Sequence, residues 1–280
     1  MLPNVTTMNI AHRGAQGVCP ENTLLAAGMG LAYGAHMWEL DVSMTKDGVL
    51  VVIHDDTLER TTNAAQLPAF AGRAPWRVCD FTYDELKTLD AGSWYVQTDP
   101  FGQIAAGAVD DDDIASYKEL RIPTLREALE FTRDAGWCVN VEIKDHAHLI
   151  GHNVIAEATL DCIRDTDMVE SVLLSSFQYK YLEQAGAMLP EIPLGVLVYD
   201  EPVADPVALV RSLKAQAYHP WRKNVTEEVV DRLRDAGFGV NVYTVNDAAE
   251  MAELASWGVT GLFTDFPLLC WGVLQGELFG

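Results

Sequence analysis

His12 and Arg13 stand side by side at the end of an apolar run, in the stretch "NIAHRGAQGVCPENTL". An imidazole moves protons near neutral pH and a guanidinium grips an anion through paired N–H groups, so the pair suits an anionic ligand. Further on, "ELDV" sets Glu39 and Asp41 two residues apart, "VLVVIH" ends on His54, and "VNVEIK" closes on Glu142 and Lys144. Carboxylates within apolar strands are costly to bury bare, and three brought together repel. A hard divalent cation, Mg2+ or Ca2+, would hold Glu39, Asp41 and Glu142 together through oxygen ligands. The competing explanation pairs each carboxylate with a base such as Arg13 or Lys144. His12 and His54 flanking one scissile bond would act as general base and general acid. Arg13 and Lys144 would hold a phosphodiester and stabilise the extra negative charge of its transition state.

Those groups are useful only if the fold converges them. Short apolar, β-branched runs lie at 7–12, 37–42, 49–54, 137–144, 171–177, 194–199, 215–220, 239–245 and 261–265. Helical patterns at 21–34, 124–136, 152–166, 226–238 and 246–258 fall between them. Such alternation implies parallel strands with crossover helices, and 280 residues suit an α/β fold of the (β/α)8 TIM-barrel type, as a single domain over 1–280. In a barrel the functional groups collect at the carboxyl ends of the strands, where these residues fall.

Nine strand candidates compete for eight places. No crossover helix fits between Val42 and Val49, so 49–54 returns antiparallel through Asp47-Gly48. A two-residue turn there sets Lys46 opposite Val49 and Asp41 opposite His54. The long connection 56–122, with a helix at 82–89, is expected to be a small insertion after the second barrel strand, lying over the barrel mouth. Its four aspartates at 110–113 read as a solvated acidic tip.

Composition narrows the function classes. There are 41 acidic residues against 19 Lys and Arg, a formal net charge of −22. A duplex nucleic acid or an anionic lipid surface would need a basic face, so neither is expected as partner. No apolar run approaches the eighteen or so residues of a membrane span, and the start lacks a secretory pattern. Five scattered cysteines without CxxC spacing fit reduced thiols rather than a disulfide framework or a zinc site. These features point to a cytoplasmic enzyme for a small substrate; oligomeric state is not readable.

"HRG" followed by "PENT", then "ELDVSMTKDGVLVVIHDDTLERTTN", "VNVEIK", "SSF", "VNVYTVN" and "GVTGLFTDFP", resembles the glycerophosphodiester phosphodiesterase family, from residue 9 to about 267. The resemblance implies a metal-dependent TIM barrel that hydrolyses glycerophosphodiesters to sn-glycerol 3-phosphate and an alcohol, in lipid and glycerol metabolism. It implies His12 and His54 as the acid–base pair, and Glu39, Asp41 and Glu142 as ligands of one Mg2+ or Ca2+. Arg13 and Lys144 would touch the phosphate. Ser176, Phe177 and Tyr243 are expected to line the substrate pocket, with Tyr243 standing where the family often has tryptophan. Gly14 would let the backbone turn close to the ligand. Glu21, Asn22 and Thr23 would cap the first helix, and His146, His148 and His152 would lie in a solvated loop. Two rival readings remain. One is a lysophospholipid- or sphingomyelin-cleaving phosphodiesterase of the same barrel superfamily, for which "SWYV" and Phe101 would supply an apolar rim. The other is a non-catalytic phosphodiester-binding barrel, which the intact histidines and carboxylates speak against.

Overall fold

Each apolar run becomes a strand in the computed structural model, which describes all residues except 1, 4, 119, 150, 200 and 277–280. The strands are β1 (Met8–Ala11), β2 (Met37–Met44), β3 (Leu50–Val52), β4 (Cys138–Ile143), β5 (Val172–Ser176), β6 (Leu194–Leu197), β7 (Ala217–His219), β8 (Gly239–Val242) and β9 (Gly261–Thr264). All but β3 pair in parallel, and β1 bonds to both β2 and β9, which closes an eight-stranded barrel. Helix α1 (Leu24–Ala32) follows β1; α2 (Tyr83–Leu86), α3 (Ser93–Thr98) and α4 (Asp111–Ser116) lie between β3 and β4. The outer ring continues with α5 (Leu125–Asp134), α6 (Ile155–Asp165), α7 (Tyr179–Met188), α8 (Pro206–Ser212), α9 (Glu227–Asp235), α10 (Ala248–Ser256) and α11 (Pro267–Leu274). The fold is a (β/α)8 barrel.

Alternation along the strands separates core from site. Trp38, Leu40 and Val42 of β2 join Val139, Val141 and Ile143 of β4 in the cluster shared with the helices. The opposite face carries Glu39 and Asp41, paired in register with Asn140 and Glu142. Below them Ile10, Met37, Cys138 and Phe263 plug the barrel with apolar side chains. Each strand is therefore buried on both faces, which is why the runs read as nearly continuous apolar segments. No disulfide links the five cysteines, and among the described residues no helix is long and apolar enough to cross a membrane.

The β2–β3 hairpin differs from the expected register by one residue. Val42 faces Val52 and Met44 faces Leu50, and Thr45 N–H donates to Val49 O at 3.0 Å, so the turn holds three residues rather than two. The Thr45 hydroxyl fixes it, donating to Asp47 Oδ1 at 2.7 Å and accepting from Val49 N at 3.0 Å. Gly48 takes the left-handed position, φ +82°, that closes such a loop. Asp41 thus faces Ile53, whose N–H donates to Asp41 O at 3.0 Å. His54 lies just past the ladder, where alternation no longer dictates its direction.

Residues 56–122 pack on the hairpin arm and near α1. Leu58, Phe70, Val78, Phe81, Leu86 and Leu89 pack with Val51 and Ile53 of the hairpin arm, and Tyr95, Val109 and Tyr117 pack with Cys19 and Ala26 near α1. None of the described residues among 56–122 lines the cavity at the barrel mouth. Burial of these side chains against the barrel's own elements anchors the segment. Within it, Asp110 caps α4, accepting from Asp113 N at 2.8 Å, and Asp111 and Asp112 are exposed.

Candidate active site

The carboxyl ends of the strands open on a cavity of about 180 Å³. His12, Arg13, Glu39, His54, Glu142 and Lys144 line one side, Phe177, Tyr243 and Thr244 the other, and Asn140, Ser175, Leu197 and Phe263 complete the wall. One oxygen from each of Glu39, Asp41 and Glu142 lies within 4.8 Å of the others, and all three residues are buried. Lys144 Nζ sits 2.6 Å from Glu142 Oε1 and 3.4 Å from Asp41 Oδ1; Arg13 Nε sits 3.4 Å from Asp41 Oδ2. The two cations thus pair with Glu142 and Asp41. Among the described residues Glu39 receives only the backbone N–H of Arg13, at 2.8 Å on Oε2, and its buried Oε1 has no hydrogen-bond partner.

The electrostatics follow that split. Burial, with the charges of Asp41 and Glu142 added, pushes the Glu39 pKa well above the ordinary carboxylate value. Burial opposes ionisation of Asp41 too, but Lys144, His54 and Arg13 outweigh it and hold its pKa below the usual range. Pairing with bases therefore accounts for two carboxylates and leaves the third with one free oxygen among negative neighbours. That donor set suits a hard cation.

The histidines share one arrangement. His12 Nδ1 lies 2.7 Å from Asp265 Oδ1, and His54 Nδ1 lies 2.7 Å from Asp55 Oδ1. Each carboxylate fixes its ring as an Nδ1–H donor and leaves Nε2 for chemistry. Asp265 is itself held by Gln16 Nε2 at 2.6 Å and Asn246 Nδ2 at 2.6 Å. Asp55 is held by Arg60 Nε at 2.6 Å.

Sequence reasoning missed this supporting shell. Glu21 does not cap α1; Thr23 alone does, accepting from Ala26 N at 3.1 Å. Glu21 instead accepts from Arg13 Nη1 at 2.9 Å and from Arg60 Nη1 and Nη2 at 2.6 and 2.8 Å. Asn22 takes a left-handed φ of +57° and donates Nδ2 to Asp41 Oδ2 at 2.8 Å. The signals were present: Asp55 follows His54, Arg60 lies in "LERTT", and Asp265 ends the last strand. Gly14 serves packing: a Cβ there would fall 2.5 Å from the α1 backbone at Ala26, at φ +84°.

Phe177 and Tyr243 line the cavity and meet edge to face, with ring centroids 5.9 Å apart. Ser176 does not. Glu142 pairs in register with Ser175, so Ser175 turns inward and Ser176 outward, its Oγ donating to Ile143 O at 2.7 Å. The loop histidines depart from a solvated loop: His146 is buried, His152 Nδ1 lies 2.7 Å from Tyr181 Oη, and only His148 is exposed, 2.9 Å from Asp56.

The chain matches the Glycerophosphoryl diester phosphodiesterase family over residues 12–269. It is 36% identical over 265 residues to a glycerophosphodiester phosphodiesterase of Bacillus altitudinis, covering 93% of this chain and 95% of that one. It is 34% identical over 261 residues to one from Caldanaerobacter subterraneus, covering 93% and 95%. Among solved structures it resembles an Oleispira antarctica phosphodiesterase in complex with the product sn-glycerol-3-phosphate, with a TM-score of 0.75, 28% identity, and 95% and 96% of the two chains covered. Fold and relatives together define a (β/α)8-barrel phosphodiesterase. The chain belongs to the glycerophosphoryl diester phosphodiesterase family.

Proposed function

We propose that this enzyme hydrolyses glycerophosphodiesters to sn-glycerol 3-phosphate and an alcohol in the cytoplasm, with His12 and His54 as acid and base and a divalent cation, Mg2+ or Ca2+, on Glu39, Asp41 and Glu142. The observation that carries the reading is the paired imidazoles: both reach one cavity, each with Nδ1 on a carboxylate, beside Arg13 and Lys144. The orphaned Glu39 Oε1 supports the cation. When bound, that cation would polarise the phosphoryl oxygen and spread transition-state charge.

The chain's own groups supply the rest. Arg13 and Lys144 stay protonated: burial alone would lower their pKa values, but Asp41 and Glu21 raise that of Arg13, and Glu142 and Asp41 that of Lys144. They bind the phosphate as cations. One histidine takes the proton of the nucleophile, either the glycerol 2-hydroxyl or a water. The other gives a proton to the departing alcohol oxygen. Attack by the 2-hydroxyl forms a cyclic phosphate, which water opens with the two histidines in exchanged roles. No protein nucleophile is required.

Release of sn-glycerol 3-phosphate from glycerophosphocholine, with EDTA and after adding back Mg2+ or Ca2+, tests the reading. Cation-restored turnover is expected. No release with either cation would refute the activity, and full turnover in EDTA would refute the metal.

A further inference from the structure

The reading above leaves the deep wall of the cavity unused, and that wall carries an unpartnered acceptor. Asn140 is 1% exposed and lines the cavity, yet its Oδ1 has no hydrogen-bond partner among the described residues. Its Nδ2 donates to Ser175 Oγ at 2.8 Å, which holds the amide in place. Ser175 is fully buried, so the brace is shielded from water. Asn140 sits beside Glu39 in the β2–β4 register and two residues before Glu142 on the same face of β4. It is thus level with Glu39 and one step deeper than Asp41 and Glu142, just above the apolar plug of Ile10, Met37, Cys138 and Phe263.

Buried polar atoms are normally satisfied, so a pinned, orphaned acceptor in a cavity wall marks the place of a donor. The candidates are a cation or a hydroxyl. A neutral amide oxygen is a weak competitor for a cation when Glu39 stands beside it and Asp41 and Glu142 one step above. A hydroxyl is the better match. The depth decides which part of the substrate supplies it. The opposite wall, towards the opening, is aromatic: Tyr199, 59% exposed, stacks on Phe177 with centroids 4.4 Å apart. A departing alcohol of variable size can occupy that open side, whereas a cavity of about 180 Å³ suits the small glycerol fragment.

We propose that Asn140, braced by Ser175, is the specificity-determining residue for the glycerol fragment, accepting a hydrogen bond from one of its free hydroxyls. This rests on the proposed reaction. It adds a selection rule, because an ester at that hydroxyl has no proton to donate and leaves the acceptor buried and bare. The site thereby favours deacylated glycerophosphodiesters over lipids acylated at that position.

The test pairs a change in the ligand with a change in the protein. Calorimetric titration of the intact protein with sn-glycerol 3-phosphate and with n-propyl phosphate, both with Mg2+, compares ligands of equal length with and without hydroxyls. The wild type is expected to prefer sn-glycerol 3-phosphate. Asn140→Leu, a near-isosteric change, should weaken that ligand roughly tenfold, about what one hydrogen bond to a buried group supplies, and leave n-propyl phosphate within about twofold. Asn140→Ala serves if the leucine variant fails to fold. A wild type without preference, or a preference ratio unchanged in the variant, overturns the proposal. Wild-type turnover of glycerophosphocholine is measured alongside: turnover with an unchanged ratio sinks only the role of Asn140, and absent turnover sinks the reaction as well.

Discussion

Asp265 and Asp55 govern what the two imidazoles can do. Removing either imidazole should stop the reaction: His12→Ala and His54→Ala should each lower kcat by roughly 10²-fold or more while the fold persists. Near-normal kcat in both would end their assignment. Asp265→Asn should also lower kcat, and it should move the pH–rate profile, which a purely structural defect would not. The same carboxylates contribute to stability. Burial pushes both pKa values up, but the hydrogen bond and charge of His12 together with hydrogen bonds from Asn246 and Gln16 outweigh it at Asp265, and the hydrogen bonds and charges of His54 and Arg60 together do so at Asp55, so both end below the ordinary value. A depressed folded-state pKa stabilises above the ordinary carboxylate range and loses that contribution as pH falls through it. Denaturant midpoints measured from about pH 6 down to about pH 3 should fall, and Asp265→Asn should flatten the decline. At this scale the sequence made His12, Arg13, Glu39, Asp41, His54, Glu142 and Lys144 legible, because ionisable groups at the ends of apolar runs are conspicuous. The role of Asp265 was not, since His12 and Gln16 lie 253 and 249 residues away and only the closed barrel supplies them; Glu21, eight residues from Arg13, reads instead as a helix cap.

At the scale of elements, the turn and the loops decide which groups meet. The strands were visible as apolar runs, since burial on both faces leaves few polar residues within them. Parity was not. Whether Ser175 or Ser176 faces inward depends on the β4–β5 register, and whether Asp41 faces Ile53 or His54 depends on one threonine hydroxyl in a turn. Arg60 ties the flanking segment to the site, joining Glu21 to Asp55. Arg60→Met would leave those carboxylates without their shared cation and loosen both Arg13 and His54. A fall in kcat of about tenfold, with little change in thermal midpoint, is expected; an unchanged kcat would show that the bridge is ornamental. Gly14→Ala should instead destabilise by about 2 kcal/mol or more in urea unfolding, because its Cβ overlaps the α1 backbone.

At the scale of the whole molecule, the net charge of −22 surrounds a pocket built for an anion. That field opposes the approach of anionic substrates, and added salt screens it. Raising NaCl from about 10 to about 200 mM should raise kcat/KM several-fold for an anionic glycerophosphodiester such as glycerophosphoglycerol, and much less for zwitterionic glycerophosphocholine. Equal responses would locate the effect elsewhere. The barrel itself was legible from strand–helix alternation, but the seat of residues 56–122 was not, because a segment with its own apolar cluster can pack on any matching flank. How that segment joins the barrel has a further consequence. Val52 N–H donates to Pro123 O at 2.9 Å, so the chain returns to the strand it left within one hydrogen bond. An excursion whose two ends coincide is topologically a graft. Because loop-closure entropy grows only slowly with length, replacements of very different size can be spliced there without reopening the barrel. Nature and the engineer alike can then exchange this flank of the scaffold and keep its chemistry, so long as a cation is kept where Arg60 joins Glu21 to Asp55.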